Sequence, residues 1–97
     1  MKTAQKTKVE EADKLYINPE IAEELRKKGN EHFEKGEYPQ AVQVYNDALK
    51  RNPQGIAIYS NRAFAYIRLM EPAMGLKDAD KCIALDPTFV RGYSRKA

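Results

Sequence analysis

Apolar residues recur along the chain at helical spacing, in two blocks that are each broken once by a turn. In the first block Ile21, Leu25, Gly29 and Phe33 share one helix face. Gly36-Glu37-Tyr38-Pro39 interrupts the period, and Ala41, Val42, Val44, Tyr45, Ala48 and Leu49 resume it. This pattern predicts a helical hairpin. Asn18-Pro19-Glu20 marks its start, an N-cap candidate followed by a proline and an acid. Pro39 suits the first turn of the second helix, where a missing N–H costs nothing, and Lys50-Arg51 favour the negative pole at its end. The second block repeats the arrangement, with helices expected over 56–69 and 73–85 and Met70-Glu71-Pro72 between them. Every element is helix or turn, so the fold class is all-α.

The two blocks are copies of one another. Pro53 recurs as Pro87, Tyr59-Ser60 as Tyr93-Ser94, Ala63 as Ala97, Leu49 as Ile83 and Asn52 as Asp86, all at a separation of 34 residues. The same offset carries Leu25 onto Tyr59 and Gly29 onto Ala63. Two copies are complete, 22–55 and 56–89, and a third begins at 90 and runs to 97. Small residues at the recurrent sites have a mechanical reason, since paired helices approach closely only where one presents little bulk. Gly29, Ala63 and Ala97 hold that place on the first helices, Ala41 and Gly75 on the second. Gly75 costs about 1 kcal/mol of helix stability relative to alanine, which predicts tight packing there. Ahead of this 19–97 domain, residues 1–18 read as a linker. Val9, Ala12, Leu15 and Tyr16 could share one face of a helix leading into the repeats, or the segment is a frayed tail.

Composition narrows the function classes. Ninety-seven residues support one core, with 42% apolar and 32% charged side chains. A net charge of +3 is spread along the chain, without the basic stripe of a nucleic-acid binder. One cysteine, Cys82, and one histidine, His32, leave no disulfide and no zinc constellation, so neither metal nor cofactor is expected. Cys82 reads as a buried, inert thiol, and His32 as a partly exposed packing residue. The first residues carry no apolar signal core, and no stretch approaches a membrane span. A phosphate-cradling glycine loop, a His-Glu-x-x-His pair and a nucleophile with its base are all absent, so no enzymatic activity is expected.

A 34-residue helix-turn-helix with these small, aromatic and closing proline positions resembles the tetratricopeptide repeat, over about four fifths of the chain. The resemblance implies an α-solenoid of two full repeats plus the start of a third. Arg26-Lys27-Lys28-Gly29-Asn30, Tyr59-Ser60-Asn61-Arg62-Ala63 and the run from Asp86 through Lys96 resemble the co-chaperone subgroup of that family. Tyr16-Ile17-Asn18-Pro19-Glu20 is similar to the lead-in of the third repeat module in the stress-inducible co-chaperones that link seventy- and ninety-kilodalton heat-shock chaperones. What this likeness implies is a cytoplasmic adaptor whose first helices line a groove. Five polar side chains there would grip the Glu-Glu-Val-Asp terminus of a chaperone tail in a two-carboxylate clamp. The matching positions are Arg26 and Asn30, Asn61, and Arg91 and Arg95. Arg26 and Arg91 stand where the subgroup more often has lysine, which keeps the charge but lengthens and stiffens the donor. Phe33 and Phe64 would offer apolar surface to the tail, and Arg68 could select an acid upstream.

The residues support the same picture unaided. Arg26 and Asn30 are four apart and share a helix face, as do Arg91 and Arg95. Asparagine is a poor helix-interior residue, so Asn30 and Asn61 need a reason to sit mid-helix. A chain-terminal aspartate offers two carboxylates on one residue, which convergent donors can recognise. Tyr38, Tyr45, Tyr59, Phe89 and Tyr93 read as packing residues between helices. The rival from another class is a basic module that binds RNA or an anionic membrane surface through Lys2, Lys6, Lys8 and its cationic faces. A third is a repeat that binds an internal peptide segment. Because stacked repeats need caps, the apolar side of the second hairpin, including Met74, Ala79 and Ile83, is expected to be incompletely covered, with self-association through that end as one outcome.

Overall fold

Asn18 starts the first helix with its backbone extended at φ −146° and its Oδ1 accepting the Ile21 N–H at 3.2 Å. From there the computed structural model, which describes residues 17–89, runs through four helices: α1 Pro19–Glu34, α2 Tyr38–Arg51, α3 Ile56–Arg68 and α4 Pro72–Leu85. A 3-10 turn at Pro87–Phe89 follows. The prolines at the starts of α1, α2 and α4 each lie in a first turn. Pro72 is therefore helical and not part of the preceding turn. Most of the expected linker and the third-repeat segment, with Arg91 and Arg95, lie outside the described residues.

Asn18 also donates its own N–H to the Arg51 carbonyl at 2.7 Å, which stitches the beginning of α1 to the end of α2. The Asn18-Pro19 pair recurs as Asn52-Pro53 and Asp86-Pro87 at the repeat distance. Asn52 Oδ1 accepts the Gln54 N–H at 3.3 Å, and Asp86 Oδ1 accepts the N–H and hydroxyl of Thr88 at 3.0 and 2.6 Å. Short polar side chains thus shape each inter-helix corner by bonding to backbone two or three residues on.

Both hairpins turn through the same pair of bonds. In the first, Gly36 at φ +80° donates to the Phe33 carbonyl at 3.0 Å and Glu37 donates to that of His32 at 2.8 Å. In the second, Met70 at φ +61° donates to Ile67 at 3.0 Å and Glu71 to Tyr66 at 2.8 Å. This is the left-handed helix ending that glycine usually fills, and the second hairpin places a methionine there.

α1 packs along α2, α3 along α4, and α2 lies against α3. Ala22, Ala41, Val42, Tyr45, Ala48, Ile58 and Ala65 form the buried centre, with Leu25, Leu49, Tyr66 and Leu69 around it. Gly29 lets α1 close onto Tyr45: a Cβ there would collide with the tyrosine ring at Cε1. At Gly75 a Cβ would meet the Ala63 carbonyl at 3.2 Å and Ile67 at 3.3 Å, so the expected tight packing of the second hairpin is present. Cys82 is buried with its Sγ 3.5 Å from the Ile56 carbonyl. His32 is half-buried, as expected, but its ring also meets Glu37 at 2.7 Å, a polar contact that its packing role did not foretell.

One polar feature of the core has no counterpart in the expected elements. Arg62 on α3 is bonded to Asp78 on α4 and to Asn46 on α2, with Nη1 2.7 Å from the Asn46 Oδ1, and its guanidinium lies 5.6 Å from the ring centres of both Tyr59 and Tyr66. On the outer side of α4, Met74 and Ile83 are 38% and 37% exposed, as expected, while Ala79 is half-buried and Leu76, not foreseen, is 64% exposed. The counterparts of Leu76 and Ile83 one repeat earlier, Val42 and Leu49, are buried and half-buried. Among the described residues no helix is long and apolar enough to cross a membrane.

Candidate functional site

α1 and α3 come side by side, and the hydrogen bond from Arg26 Nη1 to Asn61 Oδ1, 3.2 Å, ties one to the other. Beside it a pocket of about 280 Å³ opens. α1 contributes Asn30, Phe33 and Glu34 to its wall, α3 contributes Asn61, Phe64 and Arg68, and Tyr45 of α2 closes the floor. Asn30, Phe33, Asn61, Phe64 and Arg68, separated by up to 38 positions in the chain, are thereby brought to one place. Arg26 stands at its margin.

Arg26 is not idle. Glu23, one turn earlier, accepts from it through two parallel bonds, Nε to Oε1 at 2.9 Å and Nη2 to Oε2 at 2.5 Å. Those bonds raise the pKa of the guanidinium and hold the Glu23 carboxyl below the usual carboxylate range. The pair is exposed on the Glu23 side, so water screens it.

Asn30 accepts a short hydrogen bond at Oδ1 from the Tyr45 hydroxyl. Burial pushes that phenol up to about 12; the charge of Arg26 acts against the rise and that of Glu34 adds to it. Phe33 meets the Tyr38 ring edge-on at 5.1 Å between centroids, and the Arg68 guanidinium lies over the Phe33 ring at 5.7 Å. Phe33 is therefore both a packing residue and a wall of the pocket. Phe64 is 37% exposed.

Tyr45 and Glu34 are the lining residues that the sequence did not single out. Glu34 had a signal, since it lies four positions after Asn30 and so on the same face. Tyr45 reads as a packing residue alone, and nothing in the sequence gives its hydroxyl a separate sign. Chemically, two amides and two arginines offer donors to an anion, aromatic rings offer a shelf for an apolar side chain, and Glu34 is the one acid in the wall. Among the described residues no cluster of His, Cys, Asp or Glu could hold a metal ion.

Known proteins resemble this chain in sequence and in fold. The profile of the family described as TPR repeat matches residues 29–69. The Hsp70-Hsp90 organizing protein of Triticum aestivum is 50% identical over 93 residues, which is 96% of this chain and 16% of that protein. The chain thus spans about a sixth of the length of such relatives. The structure of the TPR2AB-domain:pHSP90-complex of yeast Sti1 superposes with a TM-score of 0.78 at 42% identity, covering 98% of this chain and 37% of that one. The first TPR of Spaghetti (RPAP3), bound to the HSP90 peptide SRMEEVD, superposes with a TM-score of 0.77 at 31% identity, over 84% of this chain and 64% of that one.

Proposed function

The chain is a tetratricopeptide-repeat domain of the kind found in Hsp70-Hsp90 organizing proteins, and from that premise we propose that it is a cytoplasmic co-chaperone adaptor module whose groove binds the acidic C-terminal tail of a heat-shock chaperone of the seventy- or ninety-kilodalton class. It scaffolds and carries out no reaction. The observation that carries the reading is the convergence of Asn30 and Asn61 with Arg26 beside one aromatic-walled pocket. Arg26, Asn30 and Asn61 supply part of a carboxylate clamp, Arg91 and Arg95 complete it, and Phe33, Phe64 and Arg68 contact the residues upstream of the terminal aspartate. The peptide in the Spaghetti (RPAP3) complex ends in Glu-Glu-Val-Asp, the sequence such a clamp fits.

Each charge-assisted bond contributes about 1.5 to 3 kcal/mol, and ordering a flexible tail offsets much of the sum, so a Kd on the order of 1 μM is expected. Titration with Ser-Arg-Met-Glu-Glu-Val-Asp, with and without a C-terminal amide, tests the proposal. Amidation should weaken binding strongly, and Asn61→Ala should cost at least about 1 kcal/mol. Equal affinity for the two peptides would sink it.

A further inference from the structure

We propose that Tyr45 is a positioning residue for ligand recognition, its buried hydroxyl holding the Asn30 amide in the one orientation that turns Nδ2 toward a bound carboxylate. The inference rests on the carboxylate-binding function proposed above and adds to it a residue that does not itself touch the anion.

An asparagine amide has two ends of nearly equal size and opposite chemistry, an oxygen that accepts and an NH2 that donates. A carboxylate is drawn to the NH2 and repelled by the oxygen. An asparagine able to flip in the groove would therefore spend part of its time facing the ligand with the wrong end. Asn30 has its oxygen occupied by the Tyr45 hydroxyl. Tyr45 is 1% exposed, and its ring is wedged against Gly29, where even a methyl group would not fit, so the hydroxyl has no room to swing away. The phenol keeps its proton across the whole neutral range, and although a hydroxyl can also accept, the bond as it stands runs from the hydroxyl to Oδ1.

Asn61 is held in the same sense by a different group. Arg26 donates to its Oδ1, and a guanidinium has no acceptor, so the contact admits only the orientation with the oxygen toward Arg26. The two amides on α1 and α3 thus each have the oxygen engaged by a donor of the protein, which leaves the NH2 as the end available to a ligand. A site set in this way before the ligand arrives loses less rotamer freedom on binding. Phenylalanine would fill the space of Tyr45 equally well, which makes the hydroxyl the separable part.

The experiment is Tyr45→Phe in the 97-residue chain, titrated calorimetrically with Ser-Arg-Met-Glu-Glu-Val-Asp as the free acid and as the C-terminal amide. Affinity for the free acid should fall about tenfold, the range of one hydrogen bond to a charged group, while affinity for the amide changes little, so that the ratio between them shrinks. Loss of packing alone would weaken both peptides alike and leave the ratio unchanged, which overturns the positioning role. In an Asn30→Ala background Tyr45→Phe should add nothing, and an undiminished effect there overturns it also. A wild-type chain indifferent to amidation overturns the carboxylate function itself, and this inference with it. Should Tyr45→Phe not fold, the side-chain NH2 resonances of Asn30 in the unmodified chain give the answer. They should shift with the free acid and stay still with the amide, and resonances that ignore both peptides refute the proposal.

Discussion

Arg62 and Asp78 close a two-pronged ion pair across the second hairpin, with Nε 2.8 Å from Oδ2 and Nη2 2.6 Å from Oδ1, at side-chain exposures of 19% and 5%. Taking a charge out of water is costly, and the pair offsets that cost only while both members are present. The bonds to Asp78 raise the pKa of the guanidinium, so Arg62 stays charged. Asp78→Ala strands that charge between two tyrosine rings, and it should destabilise the chain by about 3 kcal/mol in urea unfolding followed by circular dichroism. The double change Arg62→Met with Asp78→Leu should recover much of the loss. A single-variant cost below about 1 kcal/mol would mean that water reaches the pair more freely than its burial indicates.

The two hairpin turns offer a matched test of backbone strain. Met70 occupies the left-handed region that Gly36 occupies one repeat earlier, and there a Cβ crowds the following carbonyl at a cost of roughly 1 to 2 kcal/mol. Met70 is 84% exposed, so replacing it removes almost no packing. Met70→Gly should therefore raise the melting temperature, by the equivalent of up to about 1 kcal/mol after the added freedom of the unfolded chain is subtracted. Gly36→Ala, where a Cβ meets open space, should lower it by a similar amount through strain alone. Two changes of the same sign would contradict this account.

Tyr45 should make stability fall at alkaline pH. Its pKa rises from an ordinary 10 to about 12 on folding, chiefly through burial, so the folded chain holds the proton more tightly than the unfolded one. The stabilisation is complete below pH 10 and is lost as pH climbs from 10 to about 12. Over that span it amounts to about 2 to 3 kcal/mol. Urea midpoints at intervals between pH 9 and 12 should decline less steeply for Tyr45→Phe than for the unaltered chain. Parallel declines would show that this hydroxyl does not contribute.

On the proposed function, Glu23 is a competitor of the ligand for Arg26. Its carboxylate occupies two of the guanidinium's donor directions and adds negative charge at the edge of a site proposed to receive acids. Glu23→Gln should tighten binding of a Glu-Glu-Val-Asp peptide by about twofold to fivefold. Because the Glu23 side of the pair is exposed, stability should change by no more than about 0.5 kcal/mol. Calorimetric titration beside a thermal melt measures both, and weaker binding would mean that Glu23 positions Arg26 instead of competing for it.

Helix periodicity and the 34-residue offset carried most of the fold. Asn18-Pro19, Gly36 and Pro39 mark corners by chemistry that acts within a few residues, which is why such boundaries can be read from one chain. Arg62 and Asp78 lie 16 positions apart across a turn, and their meeting depends on how two helices register, which no local pattern encodes. Asn30 and Asn61 stood out because asparagine suits a helix interior poorly. Tyr45 did not, because an aromatic at a packing position explains itself, and nothing in its type says that its hydroxyl reaches the neighbouring helix. Met70 reads from the sequence only as part of the turn with Glu71 and Pro72, since nothing in a methionine side chain signals the left-handed backbone that repeats there.

The contact between Tyr45 and Asn30 also gives the domain an optical gauge of its own. The chain has six tyrosines and no tryptophan, so tyrosine dominates its near-ultraviolet spectrum. Tyr45 is the wholly buried tyrosine among the described residues, and its hydroxyl is bonded to an amide in the wall of the groove. Whatever polarises that amide is felt by the chromophore behind it. Occupancy of the groove can then be followed by tyrosine difference absorbance, in unlabelled protein with an unlabelled ligand that contains no aromatic residue.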